Sequence, residues 1–398
     1  MVPAHAPSHA MPRLLPLAVV LLSVFGCVPA GSQDAKDMNC PTGPLVAKVR
    51  PFVDRHCLAG AVMAVADRNK TVDVEAVGSA DTATGRPMAV DSVFWIASQT
   101  KPMTTAALMM LVDEGKVSLD DPVEKFLPEF KGQKVAGQAA PAPPAHPVTV
   151  REILSHTSGL PFSIPAEQPT LDGLSLAEAA RAYASTFLDF QPGTNFQYSN
   201  AGINTAGRII EVVSGLAYER FLDERLLQPL GMKETTFWPD SRQVARLAKS
   251  YKPASSGQGL EECRIAQLRY PLDDRRSRHP MPAGGLFSTA SDVARFCRMI
   301  LADGEFEGKR LLSVGAIREM TRRQTPASVE ESYGLGLALG DGWCGHGGAH
   351  ATHMQIDRKH GLVLVWMVQH AGFAGDGGMA QGVFQRSAVK AFAPNAKP

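Results

Sequence analysis

The chain has 398 residues, 44% of them hydrophobic, enough for a large core. Its formal net charge is +1, and no long block of one sign occurs. That balance excludes a dedicated nucleic-acid binder, and the densest basic stretch, residues 273–279 (DDRRSRH), reads as a solvated loop.

The first residues read as an export signal. Arg13 precedes residues 14–25 (LLPLAVVLLSVF), an apolar run of signal-peptide length and too short for a membrane span. Cys27 follows Gly26 directly, and Val24-Phe25-Gly26-Cys27 resembles a bacterial lipoprotein processing site, with Phe25 where a small residue is usual. The expectation is a signal over residues 1–26, a linker over 27–44 and one domain over 45–395. The protein would then be periplasmic or anchored to a membrane by a lipid on Cys27 alone. Cys40, Cys57, Cys263, Cys297 and Cys344 show no paired short spacing of a zinc site, and a Cys40–Cys57 disulfide is conceivable in an exported chain.

Helical periodicity follows at 46–56. Residues 58–66 (LAGAVMAVA) and 71–78 (TVDVEAVG) alternate as two strands about the Asp67-Arg68-Asn69-Lys70 turn. Val93-Phe94-Trp95-Ile96-Ala97 then leads into Ser98-Gln99-Thr100-Lys101. Pro102 fits a first helical turn, which places a helix start near Ser98 and its end at Gly115. On a helix, Ser98 and Lys101 share a face. A lysine buried among apolar side chains loses its charge and can take a serine proton. The same four residues also suit an ordinary core helix with a serine cap and a solvated lysine.

A Pro/Ala-rich loop at 135–147 precedes helical patterns at 149–155, 175–187, 201–213, 217–227 and 291–301. Strand-like runs return at 335–339, 352–356 and 362–368, and a last helix falls near 379–392. Strands at both ends of a helical middle predict an α/β (α+β) fold, one sheet split in sequence around an inserted helical subdomain.

Two further constellations stand out. Tyr198-Ser199-Asn200 follows a turn (QPGTN) at the head of a helix. A tyrosine whose pKa is lowered by lysine charge can move a proton, and an asparagine can bond both a lysine and a substrate carbonyl; the plain alternative is a buried tyrosine and a helix cap at Asn200. His346-Gly347-Gly348-Ala349 precedes the strand at 352. Its glycines permit close approach of a substrate to the backbone, and an exposed N–H there can donate to an oxyanion. His346, His350 and His353 also have the spacing of helical zinc ligands, but two glycines between them oppose a helix.

In order and spacing, Ser98-x-x-Lys101, Tyr198-x-Asn200 and His346-x-Gly348 together resemble the serine β-lactamase and penicillin-binding family, in its class C and esterase branch. The likeness extends through VTVREILSHTSGL (148–160), PGTNFQYSN (192–200), LLQPLGM (226–232) and PAGGLFSTASD (282–292). It implies an antiparallel sheet flanked by helices plus a mainly helical subdomain, with the site between them. Ser98 would be the nucleophile, Lys101 its base, Tyr198 the proton shuttle and Asn200 the orienting amide. His346, Gly347, Gly348 and Ala349 would face the substrate, with the Ser98 and Ala349 N–H groups as oxyanion donors. The reaction would run through an acyl-enzyme with no metal or organic cofactor. Where many β-lactamases carry a lysine in the third motif, this chain has His346, a weaker attractor of anions. That favours an esterase-like acyl hydrolase over a β-lactamase or a D-amino-acid peptidase. A different class, a penicillin-binding sensor acylated without turnover, needs the same Ser98 and Lys101. The expected partner is a small ester, amide or β-lactam.

Overall fold

A seven-stranded sheet gathers an early and a late segment of the chain. The strands are Gly60–Ala66 (β1), Thr71–Asp81 (β2), Arg86–Pro87 (β3), Ala338–Gly340 (β4), Trp343–Gly347 (β5), His353–Asp357 (β6) and Leu362–Met367 (β7), in the order β4-β5-β6-β7-β1-β2-β3. Every neighbouring pair is antiparallel, and the split closes where Val62 of β1 faces Met367 of β7 on one side and Ala76 of β2 on the other. The computed structural model describes residues 43–137 and 140–393. The export segment, Cys27, Cys40 and the linker up to residue 42 lie outside the described residues.

Central strands are apolar throughout because both faces of the sheet are covered. Val62, Ala64 and Ala66 of β1 point into one core with Val363, Val365 and Met367 of β7. Ala61, Met63 and Val65 point into the other with Leu362, Leu364 and Trp366. The period of two sorts one apolar run into two cores. Helices Val46–Asp54 (α1) and Ala380–Phe392 (α7) close the second face, where Phe52, Phe384 and Trp366 meet. The first face carries Ala290–Leu301 (α6) and then the helical region. There Thr100–Asp113 (α2) is buried almost from end to end against Asn200–Ser214 (α5), with Val150–Ser155 (α3) and Leu176–Ala184 (α4) outside it. Close approach of α5 to the 282–286 segment depends on Gly207, where a Cβ would overlap the ring of Pro282.

Several sequence expectations shift. The sequence pattern announces no strand at 343–347, yet β5 pairs along its length with β6. Its Gly345 backs so closely on the Met354 carbonyl that a side chain would not fit. Pairing with neighbours outweighs the poor strand propensity of Cys-Gly-His-Gly. The strand expected at 335–339 shrinks to β4, because Leu335 and Leu337 turn into the core instead. Helices at Ser241–Arg246 and Val314–Thr321, and a hairpin of Ser250–Pro253 with Leu260–Cys263, had no strong pattern to announce them. The basic stretch 273–279 is not wholly solvated. Arg278 is buried, donating from Nε to the equally buried Asp172 at 2.7 Å, and to the carbonyls of Phe237 and Leu272. Asp172 is a hundred residues upstream, so nothing local could show it. Among the described residues Cys57, Cys263, Cys297 and Cys344 form no disulfide with one another, and the expected Cys40–Cys57 pairing falls partly outside them.

Candidate active site

Ser98 lies in a single 3₁₀ turn, Ala97–Gln99, that opens into α2. Its predecessor Ala97 has φ 46°, a left-handed conformation unfavourable for a residue with a Cβ. Surrounding packing holds that turn: Trp95 on β-bridge neighbours, the Ile96 N–H on the Leu286 carbonyl at 3.0 Å, and Thr100 Oγ1 on the Ala97 carbonyl at 2.7 Å. Ser98 remains partly accessible while Ala97, Gln99 and Thr100 are buried, so the turn presents one hydroxyl outward.

Lys101 is completely buried, 0% exposed. Its Nζ lies 2.7 Å from Asn200 Oδ1, 2.7 Å from the Ala283 carbonyl and 3.1 Å from Ser98 Oγ. Burial holds its pKa well below the ordinary lysine value. A neutral amine has two N–H donors and one lone pair. Asn200 Oδ1 and the carbonyl can only accept, so they take both donors. The lone pair is left facing Ser98 Oγ.

Asn200 and Tyr198 straddle the start of α5. The helix cap is Ser199, whose Oγ accepts the Gly202 N–H at 2.9 Å and donates to the Pro161 carbonyl at 2.8 Å. Asn200, expected as a cap in the plain reading, is instead the first helical residue, with its amide turned inward to Lys101. Tyr198 sets its ring 4.6 Å from Lys101 Nζ. The sequence reading had lysine charge lowering the phenol's pKa. Burial raises it instead, with the Ser98 hydroxyl as the opposing influence, so Tyr198 is a proton-bearing phenol at rest.

The third motif sits at the end of β5, alongside the serine turn. His346 Nδ1 lies 2.7 Å from the Gly347 carbonyl and therefore carries the proton; Nε2 accepts from the Tyr333 hydroxyl at 3.0 Å. Tyr198 Oη is farther from that nitrogen, at 3.4 Å. Tyr333 thus satisfies His346 and leaves the Tyr198 hydroxyl for Ser98. Burial, with the neighbouring Lys101, pushes the His346 pKa down to about 3, so the imidazole is neutral.

Gly348 has a packing role that the sequence did not show. Its N–H donates to the Thr352 carbonyl at 2.7 Å, and a Cβ there would come within 2.6 Å of the Ile96 carbonyl oxygen. Gly348 is small so that the β5–β6 turn can pack on the serine turn. Gly347 and Ala349 are the exposed members of the motif. His350 is turned away, its Nδ1 2.5 Å from Ser250 Oγ, and His353 lies on β6. Among the described residues no group of three His, Cys, Asp or Glu side chains could hold a metal ion.

Four residues of this environment carried no assigned role in the sequence: Tyr333, His156, Ala283 and Asn204. His156 Nδ1 accepts the Ser199 N–H at 3.1 Å, and its ring packs 4.5 Å from that of Tyr198. The stretches HTSGL and PAGGL contain His156 and Ala283; only their positions in space give them a purpose.

Sheet, helical subdomain and serine–lysine–tyrosine cluster together define a serine hydrolase. The family model described as Beta-lactamase matches residues 45–384, and the chain belongs to that family. Among its relatives, Protein Rv1367c of Mycobacterium tuberculosis is 33% identical over 368 residues, spanning 81% of this chain and 89% of that protein. Esterase EstB of Burkholderia gladioli is 30% identical over 338 residues, 78% of this chain and 82% of its own. The structure of EstCE1, a hydrolase with promiscuous acyltransferase activity, superposes with a TM-score of 0.74 at 23% identity, covering 87% of this chain and 98% of that one. That last likeness concerns the fold.

Proposed function

We propose that the chain is an esterase-like acyl hydrolase working through an acyl-enzyme on Ser98. The observation that carries this reading is the donor count at Lys101: two acceptors consume its N–H groups, and its lone pair faces Ser98 Oγ at 3.1 Å. Ser98 Oγ attacks the ester carbonyl while its proton passes to Lys101. The oxyanion is received by the N–H groups of Ser98 and Ala349. Collapse expels the alcohol, which takes a proton relayed from Lys101 by way of Tyr198. Water then attacks the acyl-enzyme, giving up its proton to the same pair, and the acid leaves.

Support for an ester over an anionic β-lactam or D-amino-acid peptide comes from His346. Held neutral with its Nε2 occupied by Tyr333, it offers no positive charge to a substrate carboxylate. The relationship to an esterase adds to this reading. Export through residues 1–26, with a lipid on Cys27, is proposed from the sequence alone.

Intact-mass spectrometry during incubation with p-nitrophenyl butyrate and, separately, nitrocefin tests it. Nitrophenol release without a lasting adduct, lost in Ser98→Ala with the circular dichroism unchanged, is the expected result. Fast nitrocefin opening moves the assignment to a β-lactamase. A stable adduct moves it to a penicillin-binding sensor, and full activity in pure Ser98→Ala removes the nucleophile assignment.

A further inference from the structure

Within the loop of residues 161–174 lies a buried carboxylate that the proposed reaction does not use. Glu167 is 3% exposed, and no ion pair to it exists among the described residues. Its carboxylate accepts the Ile164 N–H at 2.9 Å on one oxygen and the Tyr183 hydroxyl on the other. An uncompensated acid in such a place is costly unless its neighbours are aligned to it.

They are aligned over a long path. Tyr183 Oη, while donating to Glu167, accepts Asn204 Nδ2 at 2.9 Å. Asn204 Oδ1 accepts the Ala283 N–H at 3.0 Å, and this backbone donor fixes which way the amide points. The Ala283 carbonyl accepts Lys101 Nζ at 2.7 Å. Every donor in the series points the same way, from Lys101 toward Glu167. Such a series polarises cooperatively in a dry interior, and its negative end favours positive charge at its origin. Tyr183, Asn204 and Ala283 are all buried, so the series lies out of bulk solvent.

We propose that Glu167 is a positioning residue and remote counter-charge for Lys101, acting through Tyr183, Asn204 and the Ala283 carbonyl to stabilise the ammonium formed when Lys101 takes the Ser98 proton. This rests on the reading of Lys101 as the base. The series is not a proton wire, because the two groups of Ala283 belong to different peptide units; what it transmits is polarisation and position. It also ties the loop to the base. The Asn200 N–H donates to the Phe162 carbonyl at 3.0 Å, and the Phe162 ring stacks 6.2 Å from that of Tyr198, so the segment covering the site and the one holding Lys101 share anchors. Facing Lys101 are Ser98, Asn200 and the Tyr198 ring, with the imidazoles of His156 and His346 packed against that ring; facing Glu167 are Tyr183 and the Ile164 N–H.

The test is steady-state hydrolysis of p-nitrophenyl butyrate by the whole chain across pH 5 to 10, comparing the wild type with Glu167→Gln and Tyr183→Phe. Glutamine removes the charge and offers one acceptor where two donors converge. Phenylalanine keeps the ring packing and breaks the series, and so serves where Glu167→Gln does not fold. Loss of the counter-charge disfavours the ammonium, so the acid limb of kcat moves down by about one pH unit. The plateau kcat falls roughly tenfold, with KM within about twofold. A folded variant whose limb and kcat stay put overturns the proposal even if its Tm drops, since a merely structural role moves Tm alone. Turnover in the wild type that does not depend on Lys101 removes the base reading itself, and is recognised separately by an active Lys101→Ala.

Discussion

Lys101 owes its chemistry to its surroundings more than to its own side chain. In water it would be a cation; fully buried among Ser98, Asn200 and the Ala283 carbonyl it becomes a base. His346, the imidazole of the third motif, is silent because burial holds its pKa at about 3, below any range used for an ester assay. The acid limb of kcat/KM therefore belongs to Lys101. In His346→Asn the limb should stay within about half a pH unit of the wild type, whatever happens to the rate. A pH–rate profile on p-nitrophenyl butyrate checks this, and disappearance of the limb in the variant would assign it to the histidine. At this scale the sequence was informative: Ser98, Lys101, Tyr198, Asn200 and His346 were all singled out from motifs, and the structure draws them into one cluster. What sequence could not reveal was the direction of the Tyr198 shift, since burial and lysine charge push a phenol in opposite senses and only the surroundings decide between them. Tyr333 had no motif of its own, as its hydroxyl meets His346 only once β4 and β5 have folded into place.

Elements position the site through contacts between strand ends and helix starts. The β5–β6 turn lies on the serine turn, with Gly348 against the Ile96 carbonyl and Thr352 Oγ1 donating to the same oxygen at 3.3 Å. A methyl group at Gly348 has nowhere to go, because one of its neighbours is backbone. Gly348→Ala should cost about 2 kcal/mol of stability and lower kcat/KM at least roughly tenfold by moving Ala349 and His346 away from Ser98. Urea denaturation and ester kinetics on the same sample measure both; wild-type values for each would show that the turn has room to spare. Helices with clear caps and periodicity, such as α3 with its Thr149–Glu152 capping box and α4 with that of Ser175 and Glu178, were legible in the sequence. Strand β5 was not, because glycine-rich segments become strands only when neighbouring strands pair with them.

Across the whole molecule, burial of histidine sets the response to acid. His346 is held at about 3, and His350 and His370 at about 4, each from an ordinary value of 6.5. As pH falls through 6.5 the unfolded chain takes up protons that the folded chain refuses. Their stabilising contribution is therefore complete above 6.5 and is lost on the way down to about 4. Glu75, Glu152 and Glu167 slope the other way above 4.5, since burial raises their values in the fold. Between pH 7 and pH 4.5 the histidine contribution is being lost, so Tm should fall by roughly 5 °C or more across that range. Scanning calorimetry across that range decides it; a flat or rising Tm would mean these imidazoles titrate normally.

The sequence by itself determined the family, the split sheet around a helical middle and the residues able to react, because hydrophobic period and motif spacing are local properties that survive without a fold. Only the tertiary structure decided what those residues are. The neutral Lys101, the proton-bearing Tyr198, the silenced His346, the buried Asp172–Arg278 pair and the path from Glu167 to Lys101 all join groups distant in sequence. Charge state and donor direction depend on what lies within a few ångströms, and folding alone brings those neighbours together.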